Sequence, residues 1–87
     1  MDWTACPRVS DGIEVNKVAD GYIVYQPDRD RVHYLNQTAV LVLELCDGKT
    51  RADELPGLLR AAYQLADAPT DEVSACLAKL LEEGLVQ

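Results

Sequence analysis

The run from Ala39 to Leu43, broken only by Glu44 and resumed at Leu45-Cys46, constrains the fold more than any other stretch of the chain. Its flanks read as a helix over residues 37–46. Asn36 is a good N-cap, and Asp47-Gly48 stops the helix where glycine accepts a left-handed conformation. A surface helix normally keeps a polar face. A helix this apolar must be covered on several sides, which calls for a layer of other elements on each flank.

The rest of the 87 residues supplies those layers. "GIEVNKV" (12–18) and "YIVYQ" (22–26) are rich in β-branched and aromatic residues, and Asp20-Gly21 between them predicts a hairpin turn with glycine at positive φ. "PDRD" (27–30) turns the chain again, and "RVHYL" (31–35) predicts a third strand. After the apolar helix, Leu55, Leu58, Leu59, Ala62 and Tyr63 mark one face of a second helix. Capping at Asp53 places Pro56 in its first turn, where no hydrogen bond is lost. Thr70 is the expected cap of a third helix with the stripe Val73, Cys76, Leu77, Leu80 and Leu81, closed at Gly84. The expected class is α+β, winged helix-turn-helix-like, with a three-stranded antiparallel sheet followed by three helices. The length allows one domain, residues 1–87, with residues 1–6 expected to be flexible. Trp3 is left with two readings, a free end or a cover over a sheet edge.

Charge narrows the function. Fifteen acids against eight bases give −7, which disfavours nucleic acid and anionic membrane surfaces. The third helix, the reader in a helix-turn-helix, carries Asp71, Glu72, Glu82 and Glu83 against Lys79 alone. No segment has the roughly 18–20 apolar residues of a membrane span, and "MDWTACPRV" lacks the features of a signal peptide. Cytoplasm is the expected location.

Catalytic and metal motifs are missing. His33 is the single histidine, and Cys6, Cys46 and Cys76 are too scattered for a zinc site or a disulfide framework. His33 with Cys46 forms no recognisable nucleophile and base without a third orienting group. The glycines are isolated, so no phosphate loop occurs. The chain is expected to be no enzyme and to use no cofactor and no metal. Binding remains, and an uncovered strand edge is the feature of a small open sheet that another chain can use.

"VHYLNQTAVLVLELCDGKTRADELPGLL" together with the terminal Leu77, Leu80, Gly84, Leu85 and Val86 resembles the family of pyrroloquinoline quinone biosynthesis protein D. The likeness covers about residues 7–87. It implies a non-catalytic peptide chaperone, the recognition element of systems that modify ribosomally made peptides. Such domains capture the leader segment of a precursor peptide as a strand added to the third strand, in a groove beside the third helix. Carried over, the edge is Arg31, Val32, His33, Tyr34 and Leu35, and the groove wall draws on Val73, Cys76, Leu77 and Leu80. The implied partners are the precursor peptide and a maturation enzyme, either a radical S-adenosylmethionine enzyme or a leader peptidase. The alternatives are an acidic adaptor that forms a homodimer through its sheet edge, or a winged-helix regulator.

Overall fold

The computed structural model describes residues 2–87, in which a three-stranded antiparallel sheet precedes three helices. Strands β1 (Glu14–Val18), β2 (Gly21–Gln26) and β3 (Arg31–Leu35) form a meander in the order β1-β2-β3. Helices α1 (Gln37–Leu45), α2 (Leu55–Tyr63) and α3 (Thr70–Glu82) follow. This is the expected α+β order. Among the described residues, no helix is long and apolar enough to cross a membrane.

The apolar helix is covered as its sequence demands. α1 packs against α2, α3, β2 and β3. Val40, Val42, Leu43 and Cys46 are buried, Ala39, Leu41 and Leu45 are half-buried, and Glu44 is exposed. Around it the core collects Val24 from the sheet, Leu55 and Leu59 from α2, Val73, Leu77 and Leu80 from α3, and Leu85 and Val86 from the tail. Asn36 caps α1 as expected, its Oδ1 accepting from Ala39 N–H at 2.8 Å. Gly48 and Gly84 have φ of +79° and +74°, in line with the left-handed stops read from the sequence.

Local expectations are corrected at three places. The β1–β2 loop is Ala19-Asp20, with Gly21 already paired to Val18 and not at positive φ. Gly21 is needed for space instead, because a Cβ there would lie 2.5 Å from the Tyr34 hydroxyl oxygen. At α2, a 3₁₀ turn over Ala52–Glu54 takes up the residues around Asp53, and Glu54 occupies the cap position without a side-chain bond. Pro56 still falls in the first turn. At α3, Pro69 is the cap position and Thr70 lies inside the helix, its N–H donating to the Ala68 carbonyl at 2.9 Å.

The amino-terminal arm fits neither reading of Trp3. Asp53 N–H donates to the Trp3 carbonyl and Ala52 N–H to the Ala5 carbonyl, each at 2.9 Å, and Trp3 packs on the core. Arg8 and Gln87 exchange backbone bonds of 2.9 and 2.8 Å, so the two ends of the chain hold each other. Met1, part of the segment expected to be flexible, lies outside the described residues.

Candidate functional site

A strand's side-chain period sets which backbone groups an edge offers. Val18 and Gly21 flank a two-residue loop, so they form the hydrogen-bonded closing pair of the hairpin, and Asn16 with Ile23 and Glu14 with Tyr25 repeat that pairing. A β2 residue that bonds β1 cannot also bond β3. Tyr22, Val24 and Gln26 therefore bond their partners Leu35, His33 and Arg31. Val32 and Tyr34 are left with N–H and C=O groups aimed away from the sheet. Among the described residues, no backbone group from elsewhere in the chain pairs with this outer edge.

Side chains along β3 divide by face. Val32 and Tyr34 stand on the outer face at 62% and 55% exposure. The Tyr34 ring crosses Gly21, and its hydroxyl donates to the Asp20 carbonyl, which ties the edge strand to the β1–β2 turn. His33 and Leu35 are half-buried toward the helices. Their neighbours on that face are the buried Val24 and Gln26.

Beside the Leu35 end of this edge lies a groove of about 540 Å³. Tyr34, Leu35, Asn36, Thr38 and Ala39 form one side and Glu72, Ala75, Cys76, Lys79 and Leu80 of α3 the other. The α3 residues recur at three- and four-residue steps, as one helix face requires. At the Arg31 end the space is closed by polar groups meeting at Glu83. Gln26 Nε2 donates to the Glu83 carbonyl at 3.1 Å, which turns Gln26 Oε1 toward His33 Nε2 at 3.0 Å. Arg29 also donates to that carbonyl, at 3.3 Å. The Glu83 carboxylate stands 3.1 Å from the Arg31 guanidinium and 3.9 Å from His33 Nδ1.

The residues singled out in the sequence thus fall into three places. Arg31, Val32, His33, Tyr34 and Leu35 form the open edge, with Arg31 and His33 also held by Glu83. Cys76 and Leu80 line the groove. Val73 and Leu77 are fully buried core residues and line no part of it. Ala75, Lys79 and Glu72 complete the α3 wall, yet the apolar stripe could not reveal them, since they flank it. Of the stripe itself, Val73 and Leu77 point wholly into the core, Cys76 and Leu80 reach the groove, and Leu81 is exposed.

Burial works against activation of Cys46 and Cys76. Burial pushes the Cys46 thiol up to about 12, and it donates to the Val42 carbonyl at 3.1 Å. Burial also raises Cys76. A thiolate is the nucleophilic form, so both shifts work against reactivity. His33 is engaged with Gln26 and Glu83 rather than with Cys46.

The opposite edge lacks this combination. All five residues of β1 are exposed, and the depression at its Val18 end is lined mainly by the β1–β2 turn, whereas β3 has an apolar cleft between itself and α3.

A family model described as Coenzyme PQQ synthesis protein D (PqqD) matches residues 21–86, which include β2, β3 and all three helices. No curated protein and no solved structure gave a significant match.

Proposed function

As the chain belongs to the coenzyme PQQ synthesis protein D family, we propose that it is a non-catalytic recognition domain for the leader segment of a ribosomally made precursor peptide. The observation that carries this reading is the open β3 edge with the apolar groove directly beside it. A leader segment adds to that edge as an antiparallel strand, the slightly more stable pairing. Its backbone meets the N–H and C=O groups of Val32 and Tyr34. Ligand residues opposite His33 and Leu35 project toward the helices, where the groove against Cys76 and Leu80 receives them. The bound segment is presented to a separate maturation enzyme, either a radical S-adenosylmethionine enzyme or a leader peptidase.

Magnitudes say where selectivity resides. Four backbone hydrogen bonds contribute about 2–6 kcal/mol net. Ordering a flexible segment costs about 2–5 kcal/mol. Micromolar binding needs about 8 kcal/mol, so strand pairing alone does not reach it. Each apolar side chain buried in the groove adds about 1.5–3 kcal/mol. Groove anchors, rather than backbone pairing, decide which leader binds.

Titrating the isotope-labelled chain with a leader peptide tests the reading through backbone amide shifts. The expected result is a set of changes at residues 31–35 and at Ala75, Cys76, Lys79 and Leu80. Shifts confined to β1, or spread over the α2 surface with β3 unmoved, would overturn it.

A further inference from the structure

The groove does not end at α3's first turn. Thr38 and Glu72 line it and also line a second depression of about 320 Å³, whose other walls are Leu59, Tyr63, Leu65 and Pro69. The two cavities therefore adjoin across one pair of residues. Leu59 is fully buried and forms part of the floor, while Tyr63 and Leu65 are 37% and 40% exposed. The loop carrying Leu65 is fixed in place. Leu65 N–H donates to the Arg60 carbonyl at 3.0 Å, and Arg60 Nε donates to the Ala66 carbonyl at 3.3 Å. The second depression is thus already shaped, and neighbouring apolar side chains at its rim face water.

We propose that this depression takes a second apolar anchor of the same peptide, on the amino-terminal side of the added strand, with a basic residue passing Glu72 between the two anchors. The inference rests on the strand-addition reading, and continuity of the two cavities carries it further. α3 runs from Pro69, at the second depression, past Cys76 in the groove, to Glu83 beside Arg31. An antiparallel ligand on β3 therefore leads its amino-terminal residues toward Thr38 and Glu72. From Cys76 to Pro69 is about 10 Å along the helix at ~1.5 Å per residue. Extended chain covers that in about three residues.

Charge fixes the middle of the ligand. Glu72 is exposed, and no cation within the described residues forms an ion pair with it. The chain's net charge of −7 adds a general preference for a basic segment. The occupant is accordingly an extended peptide reading apolar, basic, apolar as it approaches the strand.

A displayed library of random peptides, long enough to span both depressions and selected on the intact chain, tests this. Enriched sequences are expected to carry an apolar residue about three positions before the strand-forming segment, with Lys or Arg between. Replacing that apolar residue by Ser in an enriched peptide should weaken binding about tenfold to hundredfold. Leu65→Ser should weaken the full peptide about three- to tenfold and leave a version truncated to the strand segment unchanged. Leu65 lies in an exposed loop, so the variant keeps its fold, checked by circular dichroism. Equal affinity of Leu65→Ser and the parent chain for the full peptide, with Val32→Pro still weakening it at least about fivefold, would overturn the second anchor and leave strand addition standing. Peptides that bind Val32→Pro as tightly as the parent chain, or a library that yields no binder, would overturn both.

Discussion

Val32→Pro isolates the one contribution that strand addition requires and folding does not. The parity of the ladder places Val32 N–H on the outer edge, so proline there removes no bond between β2 and β3. The side chain is 62% exposed and has no hydrogen bond to lose. Proline is tolerated on edge strands, and it favours the extended conformation that Arg31 already has. Tyr34→Pro would be a less clean perturbation, since the Tyr34 hydroxyl also holds the Asp20 carbonyl. At Val32 the bound peptide loses one donor and keeps a carbonyl facing a proline ring. The lost bond is worth about 0.5–1.5 kcal/mol, and an unsatisfied buried acceptor raises the cost to about 1–3 kcal/mol. That corresponds to roughly fivefold to 150-fold weaker binding. Isothermal titration with a leader peptide measures it, and Val32→Thr, which keeps both the N–H and the branched shape, serves as the control. A Val32→Pro protein with unchanged thermal unfolding and affinity within about twofold of the parent would refute the edge geometry, because no arrangement of these four groups survives loss of the donor at so small a cost.

Three further outcomes follow from local structure. Gly21→Ala displaces the Tyr34 ring and breaks its bond to Asp20, so we expect a loss of about 0.5–1.5 kcal/mol in urea unfolding; the loss should vanish in a Tyr34→Ala background. Backbone N–H donation from Lys49 and Thr50 holds the Asp47 carboxyl below the usual carboxylate range. Its contribution to stability is therefore complete above the unfolded pKa of about 3.9 and is lost as pH falls through the lower folded value. Urea midpoints should decline less steeply on acidification for Asp47→Asn than for the parent, and parallel profiles would count against the assignment. Finally, an aromatic disulfide reagent should modify exposed Cys6 in the folded protein well before Cys76 and Cys46, both raised by burial, and equal rates for all three would contradict their placement.

What the sequence made legible was set by local chemistry. Asn36, Gly48 and Gly84 announce helix ends because cap and left-handed positions select particular residues whatever surrounds them. The limits of β3 were equally clear, bounded by the "PDRD" turn and the Asn36 cap. Features created by distant partners were not. Gly21 looked like a turn residue, yet its small size answers to Tyr34, a partner brought close only by the β2–β3 register. The arm's pairing of Arg8 with Gln87 joins opposite ends of the chain and leaves no local pattern. In α3 the stripe Val73, Cys76, Leu77, Leu80 and Leu81 gave the buried face through Val73, Leu77 and Leu80, while Cys76 is half-buried and Leu81 is exposed. The groove falls on the shoulder of that stripe, where a small residue, Ala75, and a long aliphatic stem, Lys79, replace large apolar side chains. Such a shoulder is indistinguishable in sequence from ordinary solvent-facing helix.

The apolar helix also explains how the groove remains open beside a full core. α1 packs on both β3 and α3, so it sets their separation. On most of its circumference Val40, Val42, Leu43 and Cys46 fill that space, and core density leaves no void there. At its first turn the side chains shorten to Thr38 and Ala39, and it is there that the groove lies. The far end is closed by Glu83, where the guanidinium groups of Arg29 and Arg31 gather at the carboxyl end of α3, a favourable place for cations. A peptide on the β3 edge therefore meets a polar stop at Arg31 and an apolar opening at Leu35. Under the proposed strand addition, this asymmetry places the apolar anchors of the peptide at the Leu35 end of the edge. The helix that looked too apolar for a small protein is the spacer between the edge and the wall, and its small first turn is what keeps the groove open.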